Sequence, residues 1–505
     1  MPQGYLKRIL KARVHDVAIE SPLELAPRLS RRLGAQVLLK REDLQPVFSF
    51  KLRGAANRIA RIPAEDVGRG VICASAGNHA QGVALAAKRR GLRAVIVMPV
   101  TTPSIKVAAV RDLGGEVVLC GDDYDAASLK ARELADRDGM VFVHPFDDPE
   151  VIAGQGTIAL ELLRQRPEGF HAVFVPIGGG GLIAGVGTCL KALHPEIRII
   201  GVEPEDAPTM HAALAAGAPV TLLRVGLFAD GVAVRRVGDE TFRLARDCVD
   251  EIVLVSNDEI CAAVQDIFED TRSIAEPAGA LAVAGLKRWA ASNPVAGLTV
   301  VTLVSGANMN FDRLRHVAER ADLGADREAL LAVEIPERPG SFLAFCAVIG
   351  SHFVTEFNYR YGDPANARVF VGLALSGGRD EKAKVVEAIR AADLQVVDMS
   401  GDEMAKLHVR YMVGGRVAGL RHERLFRFEF PERPGALLGF LTSVGSTWNI
   451  SLFHYRNHGA DYGRVLVGIQ VAPDDDAAFR THLEALNFSW AEETDNPAYR
   501  LFLAP

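Results

Sequence analysis

Four short stretches carry residues whose types and spacing suit chemistry. In "PVFSFKLRGA" (46–55), Lys51 sits beside Phe48 and Phe50 and ahead of an apolar, glycine-containing run. A lysine held among apolar groups loses basicity and becomes a usable base or nucleophile; taken alone, the same lysine is an ordinary solvated residue at a helix start. In "VFVPIGGGGLIAGVG" (173–187), Gly178, Gly179, Gly180 and Gly181 follow a buried strand and open an apolar helix. Consecutive glycines let backbone N–H groups converge, and a helix start adds partial positive charge, so the stretch suits a phosphate. It is not G-x-x-x-x-G-K-[ST], and it lacks the ribose-binding context of a dinucleotide fold. In "ASAGNHAQG" (74–82), Ser75, Gly77, Asn78 and His79 offer donors at another strand-to-helix junction. They suit a carboxylate or a ring oxygen, and equally suit plain N-capping. In "LVSGANMNF" (303–311), Ser305 ends a strand. Ligands of open parallel sheets sit beyond the carboxyl ends of strands, so one cleft can hold all of these groups.

The elements that position them read as α/β. From about residue 35 to 310, short β-branched runs alternate with segments of helical apolar spacing. "GVICAS", "RAVIVMP", "EVVLCG", "MVFVHPF", "AVFVPIG", "RIIGVEP" and "LTVVTLVSG" are the strands. Continuous apolar strands joined through helices imply parallel sheets covered on both faces, here two sheets in two lobes. The catalytic unit is expected over residues 1–322, with a small lobe at about 45–148.

Beyond about residue 320 an internal repeat appears. "VEIPERPGSFLAFCAVIG" from Val333 returns as "FEFPERPGALLGFLTSVG" from Phe428; "EFNYR" (356–360) returns as "LFHYR" (452–456), and "RVFVGLAL" (368–375) as "RVLVGIQV" (464–471). Each copy reads as a small β-α-β-β-α-β sandwich, expected over 329–401 and 424–495. A duplicated α+β unit behind an α/β core reads as a regulator, with structural oligomerisation as the alternative.

The 505 residues suggest three or four domain-sized units, and 49% hydrophobic with 24% charged residues is ordinary for a globular chain. A net charge of −6 without long single-sign blocks gives no electrostatic case for nucleic acid or anionic membrane as partner. The N-terminus has no apolar signal region, and no apolar run reaches a transmembrane length of about 18 residues. The cysteines (Cys73, Cys120, Cys189, Cys248, Cys261, Cys346) are scattered without a C-x-x-C pair. A cytoplasmic protein is expected.

Taken in order, "SFKLRGA", "SAGNHAQG", "GGGGLIAG" and "SGANMNF" resemble the fold-type II pyridoxal-phosphate enzymes, specifically the biosynthetic threonine dehydratase (threonine ammonia-lyase) family. "FADGVAVRRVGDETFRL" (228–244), "RSIAEPAGALAVAGLKRW" (272–289) and both P-E-R-P-G repeats, similar to the family's two ACT-like regulatory units, extend the resemblance over about residues 5–503.

The resemblance implies pyridoxal 5'-phosphate as cofactor. Lys51 would be its covalent anchor and the acid/base, with Ser75 as a second catalytic candidate. Gly178 to Gly181 and Leu182 would cradle the phosphate, Phe50 would flank the anchor, Asn78 would meet the ring hydroxyl, and Ser305 the ring nitrogen. Ser75, Ala76, Gly77, Asn78 and His79 would grip the substrate carboxylate. Glu276 would lie near the ring, or be merely an acid at a helix N-terminus. A neutral hydroxyl supports a protonated ring nitrogen less well than a carboxylate does, which favours prompt loss of a β-leaving group. The implied reaction is α,β-elimination from L-threonine, and from L-serine, giving 2-oxobutyrate and ammonia from threonine. A serine dehydratase or racemase of the same fold and a non-catalytic amino-acid sensor are the alternatives. No metal is expected: some relatives bind a divalent cation near a Glu-x-x-x-Ala-x-Asp stretch, but here Glu203 and Ala207 are followed by Thr209. Isoleucine and valine would be the effectors and a homotetramer the assembly. Phe342, Tyr359, Arg360, Tyr455 and Arg456 are the effector-contact candidates, because aromatic walls with a guanidinium suit a branched amino acid; sheet-face packing is the competing role for each.

Overall fold

The computed structural model describes residues 3–412, 414–417, 419–431, 436–445, 447–456, 462–486 and 488–504. It divides into two units, Met1–Gly324 and Ala325–Pro505.

The first unit is the expected pair of parallel sheets. The small sheet runs Glu116–Leu119, Ala94–Met98, Val71–Ala74, Val141–Phe142, all parallel. The large sheet runs Leu23–Leu25, Gln36–Arg41, Thr299–Val304, Ala172–Pro176, Arg198–Pro204, Glu251–Val255, parallel except at its first strand. Val71–Ala74, Ala94–Met98 and Ala172–Pro176 are buried at every position, as continuous apolar strands covered on both faces must be. The three-residue edge strand Leu23–Leu25 precedes the region where the sequence alternates, and it has no apolar run to mark it.

"MVFVHPF" is a shorter strand than its composition suggests. Pairing stops after Phe142. His144 Nδ1 then accepts the N–H groups of Phe146 (3.3 Å) and Asp147 (2.7 Å), and Pro145, which has no N–H, cannot extend the ladder.

The second unit is one antiparallel sheet of eight strands, ordered Gln395–Asp398, Glu328–Pro336, Asn366–Ala374, Val354–Arg360, Asn449–Arg456, Tyr462–Gln470, Glu423–Pro431, Ser489–Glu492. Each repeat has the expected β-α-β-β-α-β order, and the repeats join where Val354–Arg360 pairs with Asn449–Arg456. One core under the helices spans both repeats and includes Phe345 and Phe357 from the first, Phe440 and Phe453 from the second. Of the second P-E-R-P-G turn (431–435), residues 432–435 lie outside the described residues. Among the described residues no helix is long and apolar enough to cross a membrane.

Candidate active site

Lys51 is the first residue of the helix Lys51–Ala60. Two residues on, Arg53 is fully buried and locks that helix in place: its guanidinium donates to Glu42 Oε2 (2.8 Å) and Glu161 Oε2 (2.8 Å), and Lys40 Nζ donates to the same Glu161 oxygen (2.6 Å). On the helix Pro149–Gln165, a Cβ at Gly154 would lie 2.6 Å from the Arg53 carbonyl, so glycine permits the close packing that fixes the height of Lys51. Lys51 Nζ donates to the Pro145 carbonyl (3.1 Å) and stands 5.4 Å from the Phe50 ring centre. Burial pushes its pKa down to about 8, with Glu276 acting in the opposite sense.

Facing it, Gly178 to Gly181 follow the strand Ala172–Pro176 and lead into the helix Gly181–Leu193. The first N–H groups of a helix have no intrahelical partner and are open to an anion. Each glycine is spatially required. A Cβ at Gly178 would lie 3.0 Å from Val232 Cα, one at Gly179 would fall against the Phe146 ring, and one at Gly181 would lie 2.9 Å from the Phe146 carbonyl. Gly180 has φ +94°, and its Cβ would be 2.7 Å from Met210 Cε. Thr241 Oγ1 donates to the Gly179 carbonyl (2.7 Å) and fixes the loop from behind.

Asn78 opens the helix Asn78–Arg89; its Nδ2 donates to Glu276 Oε1 (2.6 Å), and its Oδ1 accepts from Asn308 Nδ2 (2.6 Å). Burial, then the charge of Asp230, push Glu276 up to about 7. Glu276 precedes the helix Pro277–Ala290 but makes no capping bond; its carboxyl is used on Asn78 instead. Ser305 Oγ donates to the Ala278 carbonyl (3.2 Å). One cavity is lined by Phe50, Lys51, Asn78, Gly178 to Gly181, Leu182, Glu276 and Ser305. A glycine loop at a helix start whose packing admits no Cβ, an amine of lowered pKa and a neutral hydroxyl in one cavity fit a phosphorylated aldehyde cofactor.

Ser75, Ala76, Gly77 and His79 do not line that cavity. Ser75 Oγ accepts the Gly77 N–H (3.2 Å), a local turn bond. His79 is buried, and its ring meets the Val143 carbonyl through Nε2 (2.9 Å); burial pushes it down to about 3, so the ring is neutral. The sequence reading missed Phe146, Asn308, Gly231 and Val232. Asn308 lies three residues after Ser305 in a stretch already singled out, whereas Phe146 has no local signal.

Glu203 is fully buried, and its carboxylate accepts the N–H groups of Met210 (2.7 Å) and His211 (2.8 Å). It caps the N-terminus of the helix Thr209–Ala216 with both oxygens.

In the second unit the effector candidates do not form one site. Phe342, Tyr359 and Tyr455 are buried in the core under the helices, with the Phe342 and Tyr359 rings 4.9 Å apart and the Tyr359 hydroxyl on Glu337. Arg360 follows Tyr359 on the same strand and therefore faces the other side of the sheet, where its guanidinium pairs with Glu423 and donates to the Leu503 carbonyl (2.8 Å). The aromatic wall and this guanidinium are separated by the sheet. The side chain of Arg456 lies outside the described residues.

Comparison with known proteins agrees with this geometry. Residues 14–306 match the family model described as pyridoxal-phosphate dependent enzyme. Residues 319–409 and 414–503 each match that of the C-terminal regulatory domain of threonine dehydratase. The chain is 57% identical over 503 residues to the L-threonine dehydratase biosynthetic IlvA of Burkholderia multivorans, covering 99% of each chain. It is 54% identical to that of Escherichia coli, covering 100% of this chain and 98% of the relative. Among solved structures, the processed form of threonine deaminase isoform 2 from Solanum lycopersicum matches with TM-score 0.62 and 52% identity, over 63% of this chain and 93% of that one. Maize serine racemase matches with TM-score 0.59 and 33% identity, over 62% and 96%. The chain belongs to the biosynthetic L-threonine dehydratase family of pyridoxal-phosphate-dependent enzymes.

Proposed function

We propose that this chain converts L-threonine to 2-oxobutyrate and ammonia by α,β-elimination, the first step toward isoleucine, and also acts on L-serine. The observation that carries the reading is the Lys51 amine, brought down to about 8, in one cavity with the tetraglycine helix start, Asn78 and Ser305. Pyridoxal phosphate, when bound, supplies the electron sink that makes the substrate α-proton acidic. Lys51 takes that proton from Cα, and lowering its pKa from 10.5 to about 8 raises the share of unprotonated amine available near neutrality. The N–H groups of Gly178 to Leu182 would hold the phosphate; Asn78, steadied by its bond to Glu276, would meet the ring oxygen; Ser305 would offer an uncharged hydroxyl to the ring nitrogen. The Ser75–Gly77 turn, at the positive end of the helix Asn78–Arg89, receives the substrate carboxylate.

Isoleucine inhibits and valine opposes it, in this reading, from the second unit. The match of the second unit to the C-terminal regulatory domain of threonine dehydratase supports an amino-acid effector there. The family resemblance supports a homotetramer, and six cysteines, five of them buried and none in a disulfide among the described residues, suit the cytoplasm. The test is to measure 2-oxobutyrate from threonine and pyruvate from serine, each with and without isoleucine. Faster, isoleucine-inhibited release from threonine supports the reading. Pyruvate from serine alone, or interconversion of serine enantiomers, refutes it.

A further inference from the structure

The two repeats of the second unit differ beneath their shared sheet. On the face away from the core helices, a short helix crosses each repeat: Glu403–Leu407 on the first and Pro497–Phe502 on the second. Their registers correspond. The Met399 N–H donates to the Leu330 carbonyl (2.8 Å) and the Glu493 N–H to the Leu425 carbonyl (2.7 Å). The Leu330 N–H donates to Ser400 Oγ (3.1 Å) and the Leu425 N–H to Thr494 Oγ1 (3.0 Å). Asp402 and Asn496 then cap the two helices. Met399 thus matches Glu493, Ser400 matches Thr494 and Asp402 matches Asn496, which places Ala405 where the second repeat has Tyr499.

In the second repeat that tyrosine fills the space. Tyr499 is buried with Leu425 and Leu452, Leu466 and Leu503 pack beside them, and its hydroxyl donates to Glu423 Oε2 (2.6 Å). In the first repeat the missing phenol leaves a cavity of about 300 Å³, lined among others by Ala332, Phe370, Met399, Met404, Ala405 and Met412. Asn358, on the same wall, is 6% exposed. Its Nδ2 donates to the Arg410 carbonyl (3.1 Å), while its Oδ1 accepts no hydrogen bond among the described residues. A buried acceptor left without a donor costs about 1–3 kcal/mol and is rare unless something supplies one. Methionines give such a wall an adaptable shape, and the volume is at the lower end of small-molecule sites.

We propose that this cavity binds a small, mostly apolar ring compound bearing one hydroxyl or N–H donor, a molecule of the phenol class. Its donor rests on Asn358 Oδ1, and its ring takes the place that the Tyr499 ring takes in the other repeat. The site is separate from a cavity at the first P-E-R-P-G turn and lies on the opposite face of the sheet from Phe342.

The test uses the full-length holoenzyme and 4-fluorophenol, followed by fluorine NMR line broadening and shift. Wild type is expected to bind saturably. Ala405→Tyr, which installs the phenol of the second repeat, is expected to weaken binding at least tenfold. Asn358→Leu, close in size but without the acceptor, is expected to weaken it severalfold. Circular dichroism and threonine turnover identify the variants that fold, and Asn358→Leu decides if Ala405→Tyr does not. No saturable binding to wild type overturns the proposal, as does equal binding by wild type and the folded variants.

Discussion

Gly180→Ala perturbs the phosphate cradle at its one left-handed backbone position. The backbone there has φ +94°, and the new Cβ would lie 2.7 Å from Met210 Cε and 2.9 Å from Thr241 Cβ and Oγ1. Two costs combine. Holding alanine in that backbone region costs about 1–3 kcal/mol, and overpacking the site costs about 1–3 kcal/mol more. The chain relieves them by shifting the loop or pushing Thr241 back, and the second route breaks the bond that ties Thr241 to the Gly179 carbonyl (2.7 Å). Either way the N–H groups lose their convergence. Losing one hydrogen bond to a charged phosphate is worth about 1.5–3 kcal/mol, so cofactor affinity should fall roughly ten- to a hundredfold. The assay is titration of the cofactor-free enzyme with pyridoxal phosphate, read by absorbance. Gly68→Ala, at a position with nothing within 4 Å, is the control. A Gly180→Ala protein that binds the cofactor within twofold of wild type would refute the reasoning.

The remaining predictions concern charge. In the cofactor-free enzyme, Lys51 goes from 10.5 unfolded to about 8 folded, because burial disfavours its charge. Below about 8 the amine is protonated in both states and burying it costs stability; between 8 and 10.5 the unfolded chain holds the extra proton, so stability rises with pH across that window. Denaturant unfolding at several pH values should show this slope in wild type and lose it in Lys51→Met. Glu276, raised to about 7, should give the pH profile of kcat/KM an inflection near that value. Glu276→Gln keeps an acceptor for Asn78 and should remove the inflection; persistence of the inflection assigns it to another group.

Much of the site was legible because local rules place its parts. The tetraglycine, Asn78 and Ser305 lie at or just beyond strand carboxyl ends, and Lys51 and Asn78 begin helices, so a strand-then-helix reading directs them toward one cleft. The parts that escaped depend on distant packing. Phe146 closes the cradle from a turn created by His144 and Pro145, and its role is defined only by contact with Gly179 and Gly181. His79 belongs to a suggestive motif, yet its direction is set by the Val143 carbonyl just past the end of another strand. In the repeats, the pairing of "EFNYR" with "LFHYR" was visible, but whether Tyr359 and Arg360 share a face is decided by strand alternation. Arg360 also finds its partner, Glu423, in the other repeat. The cavity beneath the first repeat is legible only once the two copies are superposed in register, because its signal is an alanine where the other copy has a tyrosine.

The central claim is that Lys51 performs the proton chemistry. Its most direct test is 2-oxobutyrate release from threonine by wild type and Lys51→Ala under cofactor saturation. The account predicts steady release by wild type and a fall of at least a thousandfold in the variant, with its fold intact by circular dichroism. A Lys51→Ala protein that turns threonine over at a rate near wild type would contradict it.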